Sequence, residues 1–203
     1  MTSAVDATVE EILGACRSMA GLPCDGEPVD QLEHALQSAS LARCAGAGPE
    51  LVVAALLHDI ARAPAVAGIP YDGPSEHHGQ AAARWLGPRV GARIAWLAEA
   101  HVPAKRYLVA TDPGYRAELT EVAARTLEAQ GGPMTDDEIA EFHSTPGWRE
   151  AVELRLFDDR GKVPGRAVPE LDTYRTELDV VVAAAAAAAA VRLRAPHRAC
   201  DAP

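Results

Sequence analysis

Apolar residues recur every three or four positions through most of this chain, the spacing that collects them on one face of an α-helix. From Val5 to about Met19 the stripe is Val9, Ile12, Leu13 and Cys16, and Gly21-Leu22-Pro23 ends it. A second helix is expected from about Val29 to Ala45, through Leu32, Ala35, Leu36, Ala39 and Ala42, with His34 beside that stripe. Pro49 lies just inside the start of a third, which passes Leu51, Ala54, Leu57 and His58 and is closed by Ala63-Pro64. After a Gly/Pro-containing loop from Ala65 to Pro74, Ser75 reads as an N-cap that puts His78 at the third helical position, with Trp85 and Leu86 further along. Val90 to Ala100 leads to His101, and Pro103 is expected to kink or restart that helix before Lys105-Arg106-Tyr107-Leu108.

Thr111-Asp112-Pro113-Gly114 has the composition of a turn, and Leu119 to Ala129 is helical up to the stop Gln130-Gly131-Gly132-Pro133. Thr135 with Glu138 forms a capping box for a short helix to about His143. Thr145-Pro146 is expected to open the helix that carries Arg155 and Asp158. A last helix from about Pro169 runs into Ala183 to Ala190, a peripheral or spacer segment because alanine has high helix propensity but little surface to bury. Arg192 to Pro203 reads as a frayed tail. With no internal repeat and no dividing linker, the expectation is one all-α domain: an N-terminal helix over 1–23, a core over 24–165, and an Ala-rich helix and tail over 166–203 packed on the same domain.

Composition agrees with helices. Aromatic residues make up 4% of the 203 while the hydrophobic share is 48%, which favours close-packed helices over a sheet. Lys and Arg number 19 against 29 Asp and Glu, a net charge of -10 that argues against nucleic acid and anionic membrane as partners. A small anionic substrate would need a local cationic pocket. The four cysteines lack CxxC spacing, no apolar run is clean enough to span a bilayer, and the N-terminus has no cleavable apolar segment, so a cytoplasmic protein with free thiols is expected.

The chemistry gathers at Ala55-Leu56-Leu57-His58-Asp59-Ile60, where an apolar run delivers a histidine and an aspartate side by side. On a helix such neighbours project about 100° apart, so one can hold a metal while the other reaches or bridges a second. His34, His78, His101 and Asp158, each in its own expected helix, supply further ligands. Six candidates are too many for one tetrahedral zinc but suit two metals sharing a carboxylate, with Asp59 as the bridge. Imidazole and carboxylate without thiolate fit iron, manganese, zinc or cobalt and do not choose among them. Lys105 lies four residues after His101 and Arg155 three before Asp158, offsets that place a cation near a proposed ligand. His77 competes with His78 as ligand, whereas His143 and His197 are expected to face solvent.

The order His34, His58-Asp59, His78, His101 and Asp158 resembles the HD-domain superfamily. The likeness sharpens at Gln31-Leu32-Glu33-His34-Ala35-Leu36-Gln37, at the block from His101 to Leu108, at Gln130-Gly131-Gly132-Pro133 and at Phe157-Asp158-Asp159-x-Gly161-Lys162. Over roughly residues 24 to 165 the chain is similar to the phosphonate-cleaving HD-domain oxygenases, mixed-valent di-iron enzymes related to myo-inositol oxygenase. The resemblance implies an HD-domain helical bundle with two Fe ions, Fe(II)/Fe(III), and O2 as co-substrate. His34, His58, Asp59 and Asp158 would hold one iron and Asp59, His78 and His101 the other. His58 and Asp59 then form the catalytic pair, and the family's spacing after the histidine, met by Ala82, Ala83 and Leu86, favours His78 over His77.

The resemblance further implies that Lys105, Thr126 and Arg155 grip a phosphonate, with Glu27 facing an amine end. Three positions depart from the family: Cys24 replaces a tyrosine, Arg62 replaces a histidine in the substrate-binding set, and Ala123 replaces a serine. The implied activity is O2-dependent cleavage of the C–P bond of a 1-hydroxyalkylphosphonate, with 2-amino-1-hydroxyethylphosphonate the favoured substrate, giving phosphate and a carboxylic acid. An HD phosphohydrolase acting on a phosphate ester or nucleotide is the alternative, and a non-catalytic sensor domain a further one.

Overall fold

The chain begins with α1 (Ala4–Arg17), whose start is fixed by a capping box in which Ser3 and Asp6 bond each other's backbone N–H. A two-stranded antiparallel ribbon follows, β1 (Pro23–Cys24) and β2 (Glu27–Asp30), an element that the helical pattern did not anticipate. Next come α2 (Gln31–Cys44), α3 (Pro49–Leu57), a single 3-10 turn at Ile60–Arg62 and a short α4 (Pro64–Ala67). The second half is made of α5 (His78–Val90), α6 (Ala92–Thr111), α7 (Pro113–Glu118), α8 (Glu121–Ala129), α9 (Asp136–Ser144), α10 (Trp148–Arg160) and α11 (Arg175–Arg194), the last preceded by a 3-10 turn at Leu171–Tyr174. This computed structural model describes residues 3–24, 26–68 and 78–194. The expected Ser75 cap, most of the Ala65 to Pro74 loop, His77 and the tail beyond Arg194 lie outside them.

The architecture is all-α and centres on α3. Every residue from Leu51 to Leu57 is buried, so α3 has no polar face and must be enclosed on all sides. Helices α2, α6, α10 and α11 pack around it, while α11 also lies against α1 and α5. Burial of each large aliphatic side chain here contributes about 1.5–3 kcal/mol relative to exposure. Small residues let the helices come close: Ala35, Ala39, Ala98 and Ala104 are buried. At Gly79 a Cβ would stand only 3.3 Å from the Glu99 carbonyl oxygen of α6.

That contact explains one departure from the expected pattern. Helix α6 runs unbroken through Pro103. A proline cannot donate to the carbonyl four residues earlier, which is Glu99, and α5 packs Gly79 against this same carbonyl. The helix therefore carries His101 and Lys105 four residues apart, both buried. Two other boundaries also differ. Asp112-Pro113 opens α7, with the Asp112 carboxylate accepting from the N–H groups of Gly114 and Tyr115. Helix α10 starts at Trp148 instead of Pro146, because Gly147 adopts φ +90°, where a Cβ would meet Arg93 and Trp96 at 3.2 Å.

The C-terminal elements are tied to α2. Tyr174 is fully buried and donates to Leu36 O, Arg43 lies over its ring at 3.7 Å, and Arg43 also pairs with Glu177. Most of Ala183 to Ala190 is exposed, as its low burial capacity suggested. Among the described residues no helix is long and apolar enough to cross a membrane.

Candidate metal centre and anion pocket

His58 is the C-cap of α3, directly after Leu57, and Asp59 follows at φ -102°, ψ 14°, so both side chains emerge where the buried helix stops. His34 comes from the first turn of α2, His78 from the start of α5, His101 from α6 and Asp158 from α10. All six are buried. His34 Nε2 lies 3.1 Å from His58 Nε2 and 3.3 Å from Asp158 Oδ1, which is itself 3.9 Å from His58 Nε2. His78 Nε2 lies 2.9 Å from His101 Nε2, and Asp59 Oδ1 is 3.3 Å and 4.0 Å from these two nitrogens. Two groups of potential ligand atoms result, His34/His58/Asp59 and Asp59/His78/His101, with Asp59 common to both.

The hydrogen bonds behind these rings decide which nitrogen is available. Nδ1 of His34 faces Gly161 O at 3.0 Å, Nδ1 of His58 faces Ala55 O at 2.9 Å, and Nδ1 of His101 faces Ala98 O. A carbonyl only accepts, so each Nδ1 carries the proton and each Nε2 presents a lone pair. Lone pairs facing one another at about 3 Å repel unless a cation lies among them. Burial holds the His58 proton affinity down and pushes that of His101 well below the ordinary value, so neutral imidazoles are favoured. For Asp59 burial opposes ionisation, but Arg62 and the histidines outweigh it and hold the carboxyl well below the usual range. Burial likewise opposes ionisation of Asp158, and Arg155 and Lys162 outweigh it. Among the described residues, Asp59 Oδ1 is a buried oxygen without a hydrogen-bond partner. Ionised carboxylates and unprotonated nitrogens converging in two groups that share Asp59 fit metal cations, and two of them.

A cavity of about 220 Å³ opens beside this cluster, bordered by His34, Asp59, His78, His101 and Asp158. The other residues expected at the site line it as well: Glu27, Arg62, Lys105, Thr126 and Arg155. Lys105, 2% exposed, donates to Thr126 Oγ1 at 2.8 Å and Ala123 O at 3.2 Å. Burial, with the like charges of Arg155 and Lys162, lowers its pKa from 10.5 to about 7. Arg155 is held from behind. One of its nitrogens lies 2.8 Å from Asp158 Oδ2, its Nε donates to the Tyr115 hydroxyl at 3.0 Å, and it pairs with Asp159.

Arg62 stands apart from the other cations. A 3-10 turn eclipses residues three apart, so Arg62 sits over Asp59 and its Nε donates to Oδ2 at 3.0 Å. It borders the cavity, but this hydrogen bond is to a proposed ligand. Glu27 is half-buried and accepts from Thr120 at 3.2 Å. Cys24, in place of the expected tyrosine, is buried at the cavity wall with its thiol pushed up to about 12, mainly by burial. His143 is exposed, bonding Tyr107.

Two contributors were not singled out from the sequence. Lys162 lines the cavity with Nζ 3.3 Å from Asp158 Oδ1. The four-residue offset from Asp158 was the available signal, obscured because α10 ends at Arg160. Tyr115, on a segment expected to be a turn region, had no signal at all.

The HD domain family matches this chain over residues 32–183. The chain is 41% identical over 162 residues to a hydroxymethylphosphonate dioxygenase of Gimesia maris, covering 75% of this chain and 78% of that protein. It is 37% identical over 147 residues to the [1-hydroxy-2-(trimethylamino)ethyl]phosphonate dioxygenase (glycine-betaine-forming) of Leisingera caerulea, covering 71% and 75% respectively.

Proposed function

Because this chain belongs to the HD-domain family and has phosphonate dioxygenases among its relatives, we propose that it cleaves the C–P bond of a 1-hydroxyalkylphosphonate with O2, using two irons in the mixed-valent Fe(II)/Fe(III) state. The reaction balances as hydroxyalkylphosphonate plus O2 giving carboxylate, hydrogen phosphate and one proton, with both oxygen atoms retained in the products. One observation carries the reading: four imidazoles and two carboxylates converge beside a cavity that is also lined by cationic side chains. His34, His58, Asp59 and Asp158 would hold one iron and Asp59, His78 and His101 the other. When bound, the irons supply the redox chemistry for O2 and a Lewis-acid contact for the substrate.

The chain's own residues have distinct parts. Lys105 and Arg155 approach from α6 and α10 and pair with the phosphonate oxygens; Thr126 offers a hydroxyl beside Lys105. Fixing the anion in this way turns the hydroxyl-bearing carbon toward the metal ligands and makes the encounter with O2 effectively intramolecular. Arg155 is already locked by Asp159 and Tyr115, so little side-chain entropy is lost when it binds. Glu27 at the cavity wall is placed to meet a cationic substituent, as 2-amino-1-hydroxyethylphosphonate would present, whereas hydroxymethylphosphonate leaves it unused.

The test is iron analysis with Mössbauer and EPR spectroscopy, followed by O2 uptake and phosphate release on both hydroxyphosphonates. Two irons per chain and one O2 consumed per phosphate are expected. Phosphate released from a phosphate ester under nitrogen, with no O2 uptake on any hydroxyphosphonate, would replace this reading with a phosphohydrolase.

A further inference from the structure

Helix α8 is a wall of the cavity that its own packing holds only weakly. It lends the lining Val122, Ala123, Thr126 and Ala129, with Gln130 just after them, yet of its nine residues the buried ones are Ala123 and Leu127. Two such side chains contribute little apolar burial, so hydrogen bonds decide where the helix lies. At its start Thr120 caps it, accepting from Ala123 N–H at 3.2 Å, and donates to Glu27 at 3.2 Å. In its middle Lys105 donates to Ala123 O and Thr126 Oγ1. Beyond its end the next residue of α6, Arg106, donates from Nε to Gly132 O at 2.8 Å and pairs through a terminal nitrogen with Glu138 of α9 at 2.7 Å. The stop Gln130-Gly131-Gly132-Pro133 makes this clamp possible. Gly131 and Gly132 take φ +98° and +71°, the left-handed region that glycine enters without strain, and Gly132 N–H closes the helix on Leu127 O at 2.9 Å. Met134 N–H bonds the Arg106 carbonyl at 3.3 Å, so the turn meets both the side chain and the backbone of this one residue.

The two adjacent cations of α6 fare differently when an anion enters. Lys105 lines the cavity, and an ammonium has three donors to distribute. Donors given to substrate oxygens are withdrawn from Ala123 O and Thr126, which loosens the middle of α8 at the moment the Thr126 hydroxyl is needed. Arg106 is not among the cavity-lining residues, and its guanidinium carries five donors in a fixed fork. Glu138 is itself fixed by the Thr135 capping box at the start of α9, so the anchor does not swing. The bonds of Arg106 to Gly132 O and Glu138 therefore survive substrate entry.

Building on the proposed function, we propose that Arg106 is a positioning residue: it anchors the C-terminal end of α8, so that Thr126 keeps its place at the phosphonate while Lys105 turns from the helix to the substrate. Full-length holoprotein answers this with Arg106→Met, Arg106→Lys, Thr126→Val and the combination of Arg106→Met with Thr126→Val. Calorimetric binding of inorganic phosphate, which needs no turnover, is read beside KM, kcat, iron content and amide hydrogen exchange. Arg106→Met should weaken phosphate binding about 3- to 10-fold and raise KM for hydroxymethylphosphonate by a similar factor, with kcat and iron content retained. Exchange over residues 121–132 should quicken about tenfold while α3 stays protected, because the loss is of a local anchor. Arg106→Lys, which keeps the charge and a donor, should recover part of the affinity. Once Thr126 is valine, Arg106→Met should cost less than about twofold further. Wild-type affinity and exchange in Arg106→Met, an equal loss with and without Thr126, or a loss of α3 protection and iron together with affinity each overturns the proposal. Phosphate binding that depends on Arg106 in a protein that cleaves no hydroxyphosphonate would instead refute the proposed reaction alone.

Discussion

Replacing Lys105 with methionine should stabilise the metal-free protein while weakening its hold on anions. The folded chain lowers this ammonium from 10.5 to about 7, and each tenfold change in proton affinity corresponds to about 1.4 kcal/mol. Charging Lys105 in the fold is therefore unfavourable by up to about 5 kcal/mol relative to the unfolded chain. The sign follows from proton counting. Between pH 7 and 10.5 the unfolded chain binds more protons at this residue than the folded one, so its contribution to stability improves as pH rises through that window and worsens as pH falls toward 7. The burden is about 4 kcal/mol at pH 7 and about 2 kcal/mol at pH 9.

Methionine fills similar space without charge, and the Thr126 hydroxyl keeps its bond to Ala123 O at 3.1 Å, so about 1 kcal/mol is lost with the Lys105 to Thr126 bond. Urea denaturation in the presence of a chelator should show the variant more stable by about 2–3 kcal/mol at pH 7, an advantage about 2 kcal/mol smaller at pH 9. The same variant should bind inorganic phosphate at least tenfold more weakly. An advantage that is absent, or that does not change between the two pH values, would refute the argument that burial among like charges holds this ammonium down.

Two further substitutions test the neighbouring parts. Asp59→Ala should remove metal from both ligand groups because they share that carboxylate, whereas His78→Ala should spare the group containing His34; metal analysis showing two irons in Asp59→Ala would end the shared-ligand assignment. Gly161→Ala should lower stability by about 1–3 kcal/mol in the same urea assay, since its Cβ meets Ser38 Oγ and backbone atoms of α10 and α2; an unchanged midpoint would mean the chain at Gly161 does not lie tightly on α2.

What could be read in the sequence divides along a physical line. Elements whose signal is local were legible: the Thr135/Glu138 capping box is present, and the apolar stripe of α1 is buried. His58-Asp59 announced itself because a polar pair at the end of an apolar run needs a partner, and the structure brings His34, His78, His101 and Asp158 to it from four other helices. Signals that depend on a distant contact were not legible. Pro103 predicted a break because nothing in the sequence shows Gly79 arriving at the Glu99 carbonyl. Thr145-Pro146 outweighed Gly147, which adopts φ +90° where a Cβ would crowd Arg93, Glu150 and Trp96. Arg62, which the resemblance put in the substrate-binding set, borders the cavity and also donates to Asp59, a bond set by the 3-10 turn that was not foreseen.

Helix α2 shows why the missed polar residues matter most. Reading it as an apolar stripe put Leu32 and Leu36 in the core, yet both are only partly buried, while Gln31, His34, Gln37 and Ser38 are enclosed. Four polar side chains on one buried face weaken hydrophobic stabilisation, and the hydrogen bonds they make offset part of that loss, with Gln31 Oε1 left without a partner among the described residues. Three of them bond the backbone of segments that wall the cavity: Gln31 reaches Pro23 O beside Cys24, His34 reaches Gly161 O, and Gln37 spans Val163. Ser38 instead bonds back to His34 O within the helix. The apolar burial forgone in α2 is supplied by α3, which is buried on every side and carries no such bonds to the walls. One helix thus holds the fold together while its neighbour fixes the edges of the pocket, so substitutions in α3 should register as lost stability and those on the polar face of α2 as displaced walls with the fold intact.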